Sequence, residues 1–296
     1  MGRDLYEGSA AARAVFETAD SVLGYPLTQV CFEGPEERLR DTRYAQPAIL
    51  TASLACLAAA IESGRIDAAP GFAAGHSLGE YTALVAAGAM SLEDGLRLIQ
   101  ERSRLMAEAA AAYPGTLAAV LGLDEQTVAS VCKDADVDVC NLNLQSQIVI
   151  GGTREAVLRA MELAKARGAL RTVELNVSGA FHSRLMEPAV EGLRRAVASA
   201  AIEAPYVPVV ANACAEPLGG ATSVRQELGV QIARPVRWYE SVTFMAAAGA
   251  TRFVEFGPGR VLTGLVKRIV PGAALENIGT LAEASPAGEA ATAIRR

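Results

Sequence analysis

The chain has 296 residues, enough for one large domain or two small ones around a buried core. Half of it is hydrophobic (51%) and a fifth is charged (20%), a globular composition that excludes a disordered chain. A formal net charge of −6 argues against a nucleic-acid partner, because phosphate binding needs a basic surface.

The N-terminal MGRDLYEGSA has no apolar signal core, and no apolar run approaches the ~18 residues of a membrane span. A cytoplasmic protein without membrane contact is expected. Five cysteines (Cys31, Cys56, Cys132, Cys140, Cys214) lie far apart with no CxxC pair. They read as buried thiols in a reducing compartment, and no metal site is expected.

Residues 46–63 and 78–90 are Ala/Leu-rich and helical in pattern. A helix over 92–110 follows, with Ser91 as its cap and Asp94 completing a capping box, and Pro114-Gly115 breaks the chain after it. The rhythm then changes. Strands are expected at 116–123, 137–143, 147–151 and 170–177, with helices at 124–135 and from Thr153 to Arg167, capped by Asp124 and Thr153. That order is βαββαβ, the ferredoxin-like arrangement. Val207–Val210 and Arg252–Phe256 are further candidate strands, and the last 17 residues (280–296) are expected to fray. The small unit is thus expected to be inserted into a larger α/β domain.

Gly75-His76-Ser77-Leu78-Gly79 fits G-x-S-x-G, the pattern of a nucleophile elbow, with the apolar stretch Gly71–Ala74 before it and a helical pattern after it. The elbow would set Ser77 at a helix N-terminus, where N–H groups stabilise negative charge; a tight turn with a capping serine fits the same residues. A serine needs a base, and the chain has two histidines. His76, next to Ser77 on a sharp turn, points poorly for that task. His182 is left, in Ser178-Gly179-Ala180-Phe181-His182-Ser183, where a strand gives way to a helix whose N-terminus favours a neutral imidazole.

In the helix over 92–110, Arg97, Glu101, Arg104 and Glu108 form a solvated face, whereas Arg102 falls on the apolar stripe with Leu92, Ile99 and Met106. A buried guanidinium must find an anion. Either an internal salt bridge or a clamp for a substrate carboxylate meets that need.

Together these segments resemble the malonyl-CoA:acyl-carrier-protein transacylase family over nearly the whole chain. The matching stretches are Gln46-Pro47-Ala48, GHSLGEYTALVAAGAM (75–90), Arg102-Ser103-Arg104-Leu105-Met106, Asn143…Gln147-Ile148-Val149, GAFHSRLMEPA (179–189), Arg234-Pro235-Val236-Arg237-Trp238 and GPGRVLTGLVKRI (257–269). The resemblance implies an α/β-hydrolase-like large domain over 1–113 and 180–296, with a ferredoxin-like small domain over 114–179. It implies Ser77 as the acylated nucleophile, His182 as its base, the Gln231 carbonyl as the group orienting that base, and Leu78 N–H as an oxyanion donor. Arg102 becomes the clamp for the malonyl carboxylate, with Gln46, Asn143 and Gln147 lining the pocket. Phe181 is expected to crowd out a methyl-branched acyl group, a discrimination of only ~1–3 kcal/mol. Arg171 is the candidate for carrier docking.

The implied reaction is ping-pong: malonyl-CoA acylates Ser77, and the phosphopantetheine thiol of an acyl carrier protein takes the acyl group, in fatty-acid or polyketide synthesis. No bound cofactor is implied, and a monomer is expected. Members of the family begin with a strand and a Gly-Gln-Gly-Ser-Gln-like loop ahead of a segment like Gly2–Tyr6, at which this chain starts. The loop carries a second oxyanion donor, so a catalytically impaired or scaffold homologue is an alternative. An esterase fits less well, because the order Ser, Asp or Glu, His would place the histidine near the C-terminus.

Overall fold

The computed structural model describes residues 1–286, and the helix Thr42–Glu62 forms the centre of its larger core. Asp41 caps this helix by accepting a hydrogen bond from the Arg43 N–H. Its sequence has no polar stripe, as suits a helix enclosed on most sides. Leu50, Ala55 and Ala60 are fully buried, and the helices Ala10–Leu23 and Leu92–Ala112 pack against it. Here one sequence expectation fails. The helix is long and apolar enough to cross a membrane, because the Thr51 and Ser53 that interrupt the apolar run carry no charge and are themselves buried. It is a core helix all the same: 67% of its most apolar window lies inside the protein.

The smaller unit has the expected element order: β1 (Thr116–Leu121), the helix Glu125–Ala135, β2 (Asp138–Leu144), β3 (Gln147–Gly152), the helix Arg154–Ala166 and β4 (Arg171–Glu174). Asp124 and Thr153 cap the two helices, accepting from the N–H groups of Thr127 and Ala156. The strands form one antiparallel sheet in the order β2-β3-β1-β4, with Thr116 opposite Gly152 and Leu121 opposite both Gln147 and Arg171. Alternation sorts the side chains. Ala118, Val120, Ile148 and Ile150 meet the helices through Val128, Val131, Val157 and Ala160. Leu117, Ala119 and Val149 face the other way and pack with Cys140 and Ala180, in the segment that carries His182. Strand β4 stops at Glu174, short of the expected Val177, although the Leu175 N–H still reaches the Leu117 carbonyl.

Beyond this unit the described strands are short. Val209–Val210 (β5) pairs antiparallel with Pro217–Leu218 (β6), and Arg252–Phe256 (β7) runs parallel to Ala274–Ile278 (β8). Ala73 bridges Val209 in parallel and so fixes the chain just before Ser77. The expected fraying of the tail is overturned in part. Leu281–Ala284 is a helix capped by Thr280, its Leu281 N–H donates to Asp4 and Ala284 is buried. Four residues are too few to leave a periodic signal, and 287–296 lie outside the described residues. Cys31, Cys56, Cys132 and Cys140 are buried free thiols as expected, but Cys214 is exposed on the connection from β5 to β6.

Candidate active site

Ser77 stands immediately before the helix Leu78–Ala86 with φ 54° and ψ −106°, a backbone state that a non-glycine residue rarely holds outside strained functional turns. Gly75 makes the turn possible: a Cβ there would lie 2.0 Å from the Gly79 carbonyl oxygen. Gly79 has open space where its own Cβ would be, so only the first glycine of the motif is demanded sterically. Asn212 fastens the elbow from behind. Its Oδ1 accepts from the Ser77 N–H at 2.7 Å and its Nδ2 donates to the Gly75 carbonyl at 2.8 Å.

The Ser77 hydroxyl lies 2.7 Å from His182 Nε2. His182 Nδ1 faces two carbonyl oxygens, Gln231 O at 3.0 Å and Arg234 O at 3.1 Å. Carbonyls only accept, so the proton sits on Nδ1 and the Nε2 lone pair is left for the serine O–H. His182 is itself at φ 65°, and its N–H is anchored to the Ile232 carbonyl. Burial first, then the Arg102 charge and His76, pull the imidazole down to about 3. The neutral form expected of a base is therefore present, enforced by burial and Arg102 and not by the helix end expected from the sequence.

Arg102 is buried on the inner face of Leu92–Ala112, its guanidinium carbon 5.4 Å from the centre of the Tyr81 ring. Nη2 donates to Ser77 Oγ and to Gln231 Oε1, both at 2.9 Å, and Nη1 donates to Gln46 Oε1 at 2.5 Å. Among the described residues no carboxylate touches Arg102, so the internal salt bridge is not formed. Its Nε–H is buried with no hydrogen-bond partner among the described residues. The Leu78 N–H, first of the helix after Ser77, is likewise hydrogen-bonded to no described residue. The site thus combines a serine hydroxyl within hydrogen-bond reach of a neutral imidazole, a buried cation and a backbone N–H with no described partner.

The other expected residues divide. Gln46 lies in the network but holds Arg102, donating its own amide to Thr42 Oγ1 at 2.6 Å. Phe181, next to His182, packs half-buried on the large core. Asn143 Oδ1 meets His76 Nε2 at 2.9 Å, which turns that imidazole toward β2 and away from the serine. Gln147 departs from expectation: it begins β3 and its Oε1 accepts from Arg268 Nη1 at 3.1 Å, outside the network around Ser77. Its backbone register opposite Leu121 carries it to the end of the sheet. Arg171 is exposed at the start of β4.

Three contributors were missed: Asn212, Glu80 and the Gln231 side chain. Gln231 Nε2 donates to the Ser77 carbonyl at 2.8 Å and to Glu80 Oε2 at 2.5 Å. Glu80 is fully buried, and burial and the nearby Glu227 push its carboxyl well above the usual range, against the pull of Asn212, Gln231 and Arg102. The signal for Glu80 was in the sequence: four residues before the buried Leu84 and beside Tyr81, it is a charge on an apolar stripe, as Arg102 is.

Residues 1–287 match the family model described as an acyl transferase domain. The malonyl CoA-acyl carrier protein transacylase of Bacillus subtilis (strain 168) is 44% identical over 274 residues, spanning 91% of this chain and 86% of that protein. The solved malonyl CoA-acyl carrier protein transacylase of Coxiella burnetii superposes with a TM-score of 0.92 at 36% identity, covering 96% of this chain and 90% of that one. A malonyl-transacylase solved in complex with a type II PKS acyl-carrier protein superposes with a TM-score of 0.90 at 38% identity, covering 96% and 93%. The chain is an acyltransferase and belongs to the malonyl-CoA:acyl-carrier-protein transacylase family.

Proposed function

We propose that the chain transfers a malonyl group from malonyl-CoA to the phosphopantetheine thiol of an acyl carrier protein, through a malonyl ester on Ser77, for fatty-acid synthesis. The observation that carries this reading is the convergence on one oxygen: Ser77 Oγ is within hydrogen-bond reach of both His182 Nε2 and Arg102 Nη2. An acyl group ending in a carboxylate can then be gripped by Arg102 while its thioester carbonyl meets the serine.

Ser77 Oγ attacks the thioester carbon as its proton passes to His182 Nε2. The Leu78 N–H receives the oxyanion. The C–S bond breaks, His182 returns the proton to the CoA sulfur, and malonyl-Ser77 remains. The carrier thiol then gives its proton to His182, attacks the ester, and releases Ser77 as the proton goes back to Oγ. CoA enters as a substrate and the phosphopantetheine arrives on the partner, so no bound cofactor is required. The Gln231 and Arg234 carbonyls orient the base, and Phe181 limits the width of the acyl pocket. Four buried free thiols support a reducing, cytoplasmic setting.

The finer architecture is part of the same proposal: an α/β-hydrolase-like domain over 1–113 and 180–296 with a ferredoxin-like unit over 114–179. The separate core beneath the four-stranded sheet and the β2-β3-β1-β4 order support it. The direct test is intact mass after incubation with malonyl-CoA, with Ser77→Ala as control. A malonyl adduct that disappears in the variant supports the reading; no adduct from malonyl-CoA overturns it.

A further inference from the structure

We infer that Glu80 is a positioning residue of this site, its two carboxyl oxygens holding Asn212 and Gln231, the two residues that set the elbow and the guanidinium. The inference rests on the acyl-transfer reading above and adds a residue to its machinery.

The contacts form one connected frame. Glu80 Oε1 accepts from the Asn212 backbone N–H at 3.1 Å, and Asn212 ties the two sides of the elbow through Ser77 N–H and the Gly75 carbonyl. Glu80 Oε2 accepts from Gln231 Nε2, which also donates to the Ser77 carbonyl. Gln231 Oε1 accepts from Arg102, and the Gln231 carbonyl meets His182 Nδ1. Ser77, His182 and Arg102 are therefore all reached from Glu80 through one intervening residue. Glu80 itself is two positions after Leu78 and fully buried, so it touches no acyl group.

The orientation of the Gln231 amide follows from its neighbours. Arg102 has only donors, so Oε1 must face it and Nε2 must face Glu80. An acceptor is needed at both Glu80 oxygens, which the ionised carboxylate supplies. The two N–H donors and the Arg102 charge favour that form against the burial and the Glu227 charge that raise its pKa. A glutamine at this position would present an NH2 to one of two donors. The backbone N–H of Asn212 cannot turn. Turning the Gln231 amide instead would bring its NH2 against Arg102 and remove the donor from the Ser77 carbonyl. Either way the disturbance surfaces at the elbow or the guanidinium.

Glu227 belongs to the same cluster, since it raises the Glu80 carboxyl and faces the Asn212 backbone N–H. The control is therefore Val128, fully buried in the separate core beneath the four-stranded sheet.

The experiment compares the parent chain, Glu80→Gln and Val128→Ala in single-turnover acylation by malonyl-CoA and acetyl-CoA. The amplitude counts acylatable Ser77, and the rate is expressed per such site. Glu80→Gln is expected to slow acylation per site about 10- to 100-fold, since small misplacements of reacting groups cost that much, and to narrow the malonyl preference. Val128→Ala should change stability while keeping the parent rate per site and preference. Parent-like rate and preference in Glu80→Gln would overturn the inference, as would equal losses in Val128→Ala. If Glu80→Gln does not fold, Glu80→Asp keeps both acceptors on a shorter arm and should show the same split at smaller amplitude; parent-like values there overturn it equally. The parent reports on the underlying reading by itself: no malonyl adduct refutes acyl transfer, whereas a normal adduct with an unaffected Glu80→Gln refutes only the role of Glu80.

Discussion

Arg102 Nη2 donates to Ser77 Oγ across 2.9 Å, so a buried cation touches the very oxygen that His182 is placed to deprotonate. In the proposed reaction that charge favours negative charge on the serine and adds to burial in keeping His182 neutral. A lysine would lack the planar set of donors that lets Gln46, Gln231, Ser77 and a ligand share one group.

Arg102→Ala should therefore change which acyl group is accepted as well as how fast. Losing charge-assisted hydrogen bonds to a carboxylate costs about 1.5–3 kcal/mol, or ~10- to 100-fold in malonyl kcat/KM. Acetyl-CoA has no carboxylate to lose, so the malonyl-to-acetyl ratio should fall by most of that factor. The two kcat/KM values measured side by side decide the point, and an unchanged ratio would make Arg102 a purely structural residue.

The depressed His182 pKa has a kinetic and a thermodynamic consequence. A base that titrates at about 3 stays active in mild acid, so acylation should lack the limb near 6.5 that an ordinary histidine produces. For stability the sign follows from proton counts. Above about 6.5 the group is neutral in both states, and between there and about 3 only the unfolded chain takes up the proton, so stability falls as pH falls. The buried Glu80 and Glu227, with raised values, act in the opposite sense and are common to parent and variant. Urea melts near pH 6 and pH 5 should thus show the parent losing up to ~1.4 kcal/mol more than His182→Asn. Equal losses would mean that His182 is not held neutral by the fold.

Much of this arrangement could be read from residue order, and the remainder has a common physical character. The Leu92–Ala112 helix announced itself by the Ser91 cap and by a stripe that made Arg102 conspicuous, and the βαββαβ unit by strands of period two between capped helices. What escaped notice depends on side chains meeting backbone far away in sequence. Asn212 reaches Ser77 over 135 positions and Gln231 over 154, from a loop and a single 3-10 turn where no periodicity marks a face. Glu80 was legible as a charge on the apolar stripe, but a carboxylate in a first helical turn is ordinarily read as a solvent-facing complement to the helix dipole.

The elbow offers a test that involves no chemistry. A Cβ on Gly75 would overlap the Gly79 carbonyl at 2.0 Å, and this carbonyl belongs to a helix that cannot retreat without moving Ser77. Gly75→Ala is expected to cost about 1–3 kcal/mol of stability, the range for forced overpacking. Gly79→Ala, with nothing within 4 Å of the added carbon, should stay close to the parent. Thermal melts of the two variants give the comparison. Similar losses in both would show that the strain lies in the motif as a whole and not in this contact.

Arg171 sits at the same end of the four-stranded sheet as Gln147 and its partner Arg268, because Leu121 is opposite both Arg171 and Gln147. It is exposed and makes no ion pair among the described residues, which leaves its charge available on a protein whose overall charge is negative. An acidic carrier approaching such a rim feels the charge mainly during encounter, and one rim charge contributes about 0.2–1 kcal/mol, comparable to an exposed ion pair. Arg171→Glu replaces attraction by repulsion and should raise the KM for the carrier about 3- to 10-fold at low ionic strength, with the difference shrinking as salt screens it. The KM for malonyl-CoA should not move, because Arg171 is outside the Ser77 network. A carrier KM that ignores the substitution at low salt, or a parallel rise for malonyl-CoA, would place the docking surface elsewhere.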